Sequence, residues 1–157
     1  MSAKALQYSL QGIKKLTSYL NSIDTLPIKN LEEELIGVRK GFQFGFDPVK
    51  GVFTIRVLTD FLCRAETDEP IKLFGATIQC DFLFKDHEEI IKESQDHKVN
   101  IPDDFMITLM SVSFSSARGI LVALTAGTDY QNIYLPLVNI QEFKTMLKSL
   151  ENKEKAK

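Results

Sequence analysis

Residues Leu35–Phe84 read LIGVRKGFQFGFDPVKGVFTIRVLTDFLCRAETDEPIKLFGATIQCDFLF, and through most of this stretch the apolar side chains return every second position. Successive residues of a strand point to opposite faces of a sheet, so a period of two marks strands with one face buried. In the first run Val38, Phe42, Phe44 and Phe46 share a face, with Gly37, Arg39, Gly41, Gln43 and Gly45 on the other. FDPVKG (46–51) then supplies turn chemistry: Pro48 fixes its own φ and Gly51 is free to turn left-handed. Phe53, Ile55, Val57, Phe61 and Cys63 form a second apolar face, interrupted only by Thr59. After the turn AETDEP (65–70), a third face comprises Phe74, Ala76, Ile78, Cys80, Phe82 and Phe84. Three such strands joined by short turns predict an antiparallel meander.

Toward the N-terminus the pattern is two-sided. Leu6, Tyr8 and Leu10 alternate, yet Leu10, Ile13, Leu16 and Leu20 would also stripe a helix; we read a strand. NSIDTLPIKNLEEE (21–34) carries isolated apolar residues in a polar setting and reads as an extended crossing loop, of a length usually reserved for function. Toward the C-terminus, KDHEEIIKESQDHKVNIP (85–102) is a charged loop with at most one helical turn. A long helix is predicted next, from Pro102, Asp103 and Asp104 in its first turn to a stop at Gly127. Its stripe is Met106, Met110, Ser113, Ala117, Ile120 and Leu124, with Gly119 allowing close packing or a bend. Tyr130–Val138 reads as extended, Asn139 as the cap of a last helix striped by Ile140, Phe143, Met146, Leu147 and Leu150, and 151–157 as a flexible charged tail. Strands segregated from helices predict an α+β layer fold over residues 1–150, a four-stranded antiparallel sheet with both helices on one side.

Composition narrows the function classes. A chain of 157 residues with 44% hydrophobic and 25% charged residues suits one folded domain. A net charge of -2 gives no basic field for a phosphate backbone, so nucleic acid is not an expected partner. The N-terminus lacks a secretory pattern, and no run of about 18 uninterrupted apolar residues occurs, so membrane insertion is not expected. Cys63 and Cys80 lie inside strands as small buried hydrophobes, which fits a reducing compartment and hence the cytoplasm. Eleven Phe against no Trp is the unusual feature.

Chemistry is sparse. His87 and His97, with Asp86, Glu88, Glu89 and Asp96, match no common metal-ligand spacing and read as solvated loop charge. Ser113, Ser115 and Ser116 lie near Arg118 without a nucleophile elbow, and Arg118 itself reads as one half of a structural ion pair or a helix-end contact. Gly37, Gly41 and Gly45 lie within a strand and not between a strand and a helix, so they make no phosphate loop. The expectation is a non-enzyme with no catalytic residues, metal or cofactor. The apolar surface is then the working part: Val52, Leu58 and Leu62 oppose the main face of their strand, a surplus that signals self-association or a binding groove.

The ordered set IKLFGATIQCDFLF, GVFTIRVLTDFLCRAE and SFSSARGILVALTAGTDYQNIYLPLVNIQEFKTML resembles the SecB export chaperones over about Gly51–Leu150. The resemblance implies a homotetramer, a dimer of dimers paired through strands and long helices, that holds unfolded or precursor polypeptides without ATP. It implies a peptide groove whose walls are Leu26, Ile28 and Leu31 of the crossing loop, Phe42, Phe44 and Phe46 of the following strand, and Leu137, Phe143, Met146 and Leu147 near the C-terminus. The resemblance also implies docking on the SecA motor through acidic sheet-surface residues, for which Glu66, Asp68 and Glu69 are the candidates here. Gly119 after Arg118, and Lys153, Lys155 and Lys157 in the tail, depart from the family pattern. A relative serving another client, such as an antitoxin, fits the same residues, and a non-enzymatic oligomeric adaptor is the alternative from a different class.

Overall fold

In a computed structural model that describes residues 7–64, 68–85, 87 and 101–155, the alternating runs form long antiparallel strands. They are β1 (Tyr8–Leu20), β2 (Ile36–Asp47), β3 (Val52–Cys63) and β4 (Ile71–Phe84), followed by α1 (Asp103–Thr125) and α2 (Ile140–Lys155). The sheet order is β1-β4-β3-β2, so β2 to β4 form a meander and β1 closes the far edge against β4. Residues 21–35 therefore carry the chain from one edge of the sheet to the other, through 3₁₀ turns at Ile23–Thr25 and Leu31–Glu33. The fold is α+β, as the segregation of strands and helices predicts.

The β2–β3 hairpin follows from its turn residues. The Asp47 carboxylate accepts from the Val49 and Lys50 amides, and Gly51 sits at φ 66°, a conformation that costs glycine nothing. Paired residues face the same side, so Phe53 beside Phe82, Ile55 beside Cys80 and Val57 beside Ile78 build one continuous apolar face under α1. Thr59, the one polar interruption, is buried and donates to the Ala76 carbonyl. Leu73, not expected in this face, is fully buried because the register shifts at Phe61/Leu62 and turns it inward beside Phe74.

β1 explains its own ambiguity. Its pairing with β4 shifts between Leu10 and Gly12 and again between Lys15 and Thr17, two bulges that each insert one residue. Tyr8 and Leu10 oppose Phe84 and Phe82, whereas Ile13 opposes Cys80 and Leu20 opposes Phe74. The inserted residues convert a period of two into steps of three and four, which imitates a helix. The strand ends at a latch in which Tyr19 donates to Asp60 at 2.7 Å, lying over Gly75.

α1 starts at Pro102, whose carbonyl accepts from Phe105 and Met106, and stops before Gly127 at φ 73°. Its buried side chains are Ile107, Leu109, Met110, Ser113, Phe114, Ala117, Leu121 and Thr125. The inner stripe is thus rotated toward Phe114 and Leu121; Met106, Ile120 and Leu124, expected at its centre, lie at its margins. Gly119 is exposed, and an added Cβ there would meet nothing within 4 Å, so it serves no close packing within the chain. Of the two roles expected for Arg118, a structural ion pair or a helix-end contact, the ion pair does not occur among the described residues. α1 is long and apolar enough to cross a membrane by length and composition, a property a search for uninterrupted runs overlooks, but its inner face lies on the sheet as in a core helix.

Beyond α1, turns run to Asn132 and the irregular stretch begins only at Ile133, so Tyr130 is not extended as expected. It is buried against Phe74, and its hydroxyl donates to the Asn21 carbonyl, pinning the start of the crossing loop. Asn139 caps α2 by accepting from Glu142 at 2.9 Å, and the helical backbone runs on to Lys155.

Candidate functional site

The phenylalanines form a connected series. Phe143 of α2 meets Phe42 of β2 and Phe114 of α1 edge-on, both at 6.0 Å, and these two lie 6.3 Å apart. From Phe42 the series continues through Phe44, Phe53, Phe84 and Phe105 to Tyr8 of β1. Edge-to-face and offset contacts at such spacings are favoured by the ring quadrupole and add to the gain from burial. The series takes a ring from each of the four strands, linking the sheet's β2 edge to the start of α1 and to β1 through a seam of flat side chains.

At the β2 end the seam opens. Phe42 is 8% and Phe143 3% exposed, while Phe44 is 37%, Leu137 77% and Ile140 60% exposed. Lys40, on the same face of β2 as Phe42, stands at the rim: its ammonium lies 3.2 Å from the Glu142 carboxylate and 5.9 Å above the Phe114 ring. The result is an aromatic slot with a cation at its edge, plugged by Phe143 and open at Phe44, with Leu137 and Ile140 exposed on the chain that leads into the plug.

Of the groove residues implied by the resemblance, Phe42, Phe44 and Phe143 come together in this seam. Leu26, Ile28, Leu31, Phe46, Met146 and Leu147 are partly buried against the core, and Leu137 projects into solvent. Phe114, Lys40 and Glu142 were not anticipated. Phe114 was hidden by the rotated helix stripe, and Lys40 interrupts the apolar face of β2 as its only charge, a signal the sequence did contain. Asp68 and Glu69 are exposed, whereas Glu66 lies outside the described residues, as do His97 and the acidic residues around it.

Elsewhere the polar groups are occupied structurally. On the sheet face away from the helices, Asp81 accepts from Thr54 at 2.9 Å, from Gln79 at 2.9 Å and from Lys14 at 3.2 Å. Burial alone would raise its pKa, but these hydrogen bonds and the Lys14 charge outweigh it and hold the carboxyl below its ordinary value. Ser111, Ser113 and Ser116 donate to carbonyls one turn back on α1, which satisfies them without a base. Burial pushes the Cys80 thiol up, against hydrogen bonds with Ser113 and Ser116, so it is held as a thiol and not as a reactive thiolate. Among the described residues no group of three His, Cys, Asp or Glu is placed to hold a metal ion.

Comparison with solved structures bears on the arrangement as a whole. The SecB-like chaperone Rv1957 of Mycobacterium tuberculosis, in complex with a ChAD peptide from the Rv1956 HigA1 antitoxin, superposes with a TM-score of 0.55 over 83% of this chain and 90% of its own. The fold is SecB-like. Sequence identity is 10%, so the likeness is one of fold. A protein of unknown function from Streptococcus agalactiae matches more loosely, with a TM-score of 0.38 and 11% identity over 87% of this chain and 100% of its own. No family model and no curated protein matches the sequence. On the SecB-like fold the slot at Phe42, Phe114 and Phe143 lies between the sheet's β2 edge, the long helix and the terminal helix.

Proposed function

We propose that this chain is a holdase chaperone: it keeps unfolded polypeptides from aggregating by covering their apolar side chains, performs no chemistry and uses no nucleotide. The observation that carries the reading is the aromatic slot itself, open at Phe44, with exposed apolar Leu137 and Ile140 on the chain that leads into its plug, Phe143. Single exposed apolar side chains are ordinary, but several adjoining a deep aromatic seam form a surface suited to a ligand. The SecB-like fold supports the reading, as does the fact that Rv1957 was solved with an antitoxin peptide. A dedicated client such as an antitoxin is the narrower form of the proposal, and export precursors handed to SecA through Asp68 and Glu69 are the broader one.

The reading includes self-assembly in the cytoplasm as a dimer of dimers. Leu10, Ile13, Leu16 and Leu20 of β1 and Val122 of α1 leave a second apolar surface exposed, which favours pairing through that strand and helix. The test is light scattering coupled to size exclusion on the pure chain, alone and with a reduced, unfolded model polypeptide. A tetramer that carries the unfolded polypeptide and ignores its folded form is expected. An oligomer that binds neither would overturn the chaperone reading and leave an adaptor.

A further inference from the structure

The slot already holds a ligand, and that ligand is α2. Phe143 is the one buried side chain of this helix among its described residues; Met146, Leu147 and Leu150 are partly covered and Ile140 faces solvent. Apart from this plug, α2 is held by the partly covered Met146 and Leu147 and by the Lys40–Glu142 pair, whose side chains are 21% and 43% exposed. Exposed ion pairs contribute little, and segments with few buried contacts open at the low end of the stability range. Asn139 caps the helix from within the segment itself, so releasing α2 from the slot leaves its first turn satisfied. An amphipathic helix lying in an apolar groove with one buried aromatic anchor and partly covered Met and Leu beside it is the arrangement by which many separate peptides bind.

The slot also has a preference written into it. Its walls, Phe42 and Phe114, accept a ring edge-on, and the rim cation Lys40 accepts a carboxylate from the residue just before that ring. We propose that this slot is a receptor for an acidic residue followed by an aromatic one, that Glu142 and Phe143 fill it from within the chain, and that a partner segment with the same pair enters by displacing α2. The extension to unfolded clients rests on the holdase reading; the receptor and its charge rule do not.

The experiment uses the full chain and a labelled synthetic peptide with the sequence of residues 139–152, NIQEFKTMLKSLEN, followed by fluorescence anisotropy. Phe143→Ala empties the slot and should bind the peptide at least about tenfold more tightly than the unaltered chain, because the binding-competent fraction rises. A peptide carrying Glu142→Lys should bind this chain about fivefold more weakly, and adding Lys40→Glu to the chain should invert the order of the two peptides. Because Phe143→Ala removes a buried ring, Glu142→Lys in the chain serves as the second variant: it alters a half-exposed side chain, sets a like charge against Lys40, loosens α2 from the slot and should raise peptide affinity in the same direction by about two- to fivefold. Equal binding by emptied and filled chains, or a peptide order unmoved by Lys40→Glu, would overturn the proposal. Suppression of aggregation of an unrelated denatured protein, measured on the same samples, reads the holdase function separately. Suppression without the charge rule sinks the receptor alone, and the charge rule without suppression sinks the holdase reading and leaves the receptor standing.

Discussion

Replacing Gly75 by alanine tests the attachment of β1 to the rest of the sheet. A Cβ at this position would lie 2.4 Å from the Thr59 carbonyl oxygen, 2.8 Å from Cε1 of Tyr19 and 3.0 Å from Oδ1 of Asp60. The Tyr19 ring can swing aside, but the Thr59 oxygen belongs to the backbone of β3 and cannot. Overpacking of a well-filled site costs about 1–3 kcal/mol, and loss of the Tyr19–Asp60 hydrogen bond about another 1, so Gly75→Ala should destabilise by about 2–4 kcal/mol. At a urea slope of about 2 kcal/mol/M this lowers the midpoint by about 1–2 M with the slope unchanged. Tyr19→Phe keeps the ring and loses only the hydroxyl, which otherwise donates to Asp60 at 2.7 Å; it should cost about 1–2 kcal/mol. Urea denaturation followed by far-UV circular dichroism, at fixed protein concentration, reads both. A Gly75→Ala chain with the midpoint of the unaltered protein would refute the register that sets Tyr19 over Gly75, and with it the placement of both bulges.

The other predictions address separate parts of the molecule. Gly119→Ala, with nothing within 4 Å of the added methyl, should stabilise α1 by about 0.8 kcal/mol, seen as a higher urea midpoint of the dissociated chain. Phe42→Ala should cost about 3–5 kcal/mol, whereas Phe44→Ala, at the exposed end of the seam, should cost about 1 kcal/mol and register instead as weaker capture of unfolded polypeptide. Because the folded pKa of Asp81 is lowered, its contribution is present at neutral pH and is lost as pH falls from the ordinary carboxylate range, about 4, through its folded value. Asp81→Asn should therefore flatten the acid side of a stability-against-pH curve. Cys80, buried and held as a thiol, should resist a thiol-specific reagent in the native chain and react at once in urea; rapid native labelling would mean that the packing of α1 on β4 opens.

The meander was readable because β2 and β3 pair without a bulge, so the buried residues keep the period that the sequence displays. β1 could be read either way for the opposite reason: Gln11 and Leu16 are extra residues in its ladder, and spacing alone does not reveal which residues a ladder omits. The long helix was visible, but its inner stripe was misplaced because apolar residues surround much of α1 and only packing against β3 and β4 selects Phe114 and Leu121 over Ile120 and Leu124. For the site, the resemblance to SecB assigned Phe42, Phe44 and Phe143 to one groove, but nothing in the sequence shows that Phe42 and Phe143 are buried against each other. Burial of one aromatic by another depends on the angle at which α2 returns to the sheet, and that is a long-range property. Lys40 was overlooked because a single charge in an apolar face reads as an interruption until its partner, 102 positions along the chain, is known.

The two edges of the sheet are not equivalent. β1 presents an outer edge broken twice by bulges and carrying Lys14 and Lys15 between them, while β2 at the opposite edge runs through twelve residues of unbroken register. A bulged, lysine-bearing edge is a poor template for another strand, and a regular one is a good template. A sheet that can be extended from only one side takes an added strand at β2 and stops there, while the β1 side is left to pair through its exposed apolar side chains, Leu10, Ile13, Leu16 and Leu20, and not through its edge. For the proposed holdase, whose apolar seam lies beside that open edge, this asymmetry separates capture from polymerisation: a strand of an aggregating client can be met at β2 without the sheet becoming the seed of a fibre.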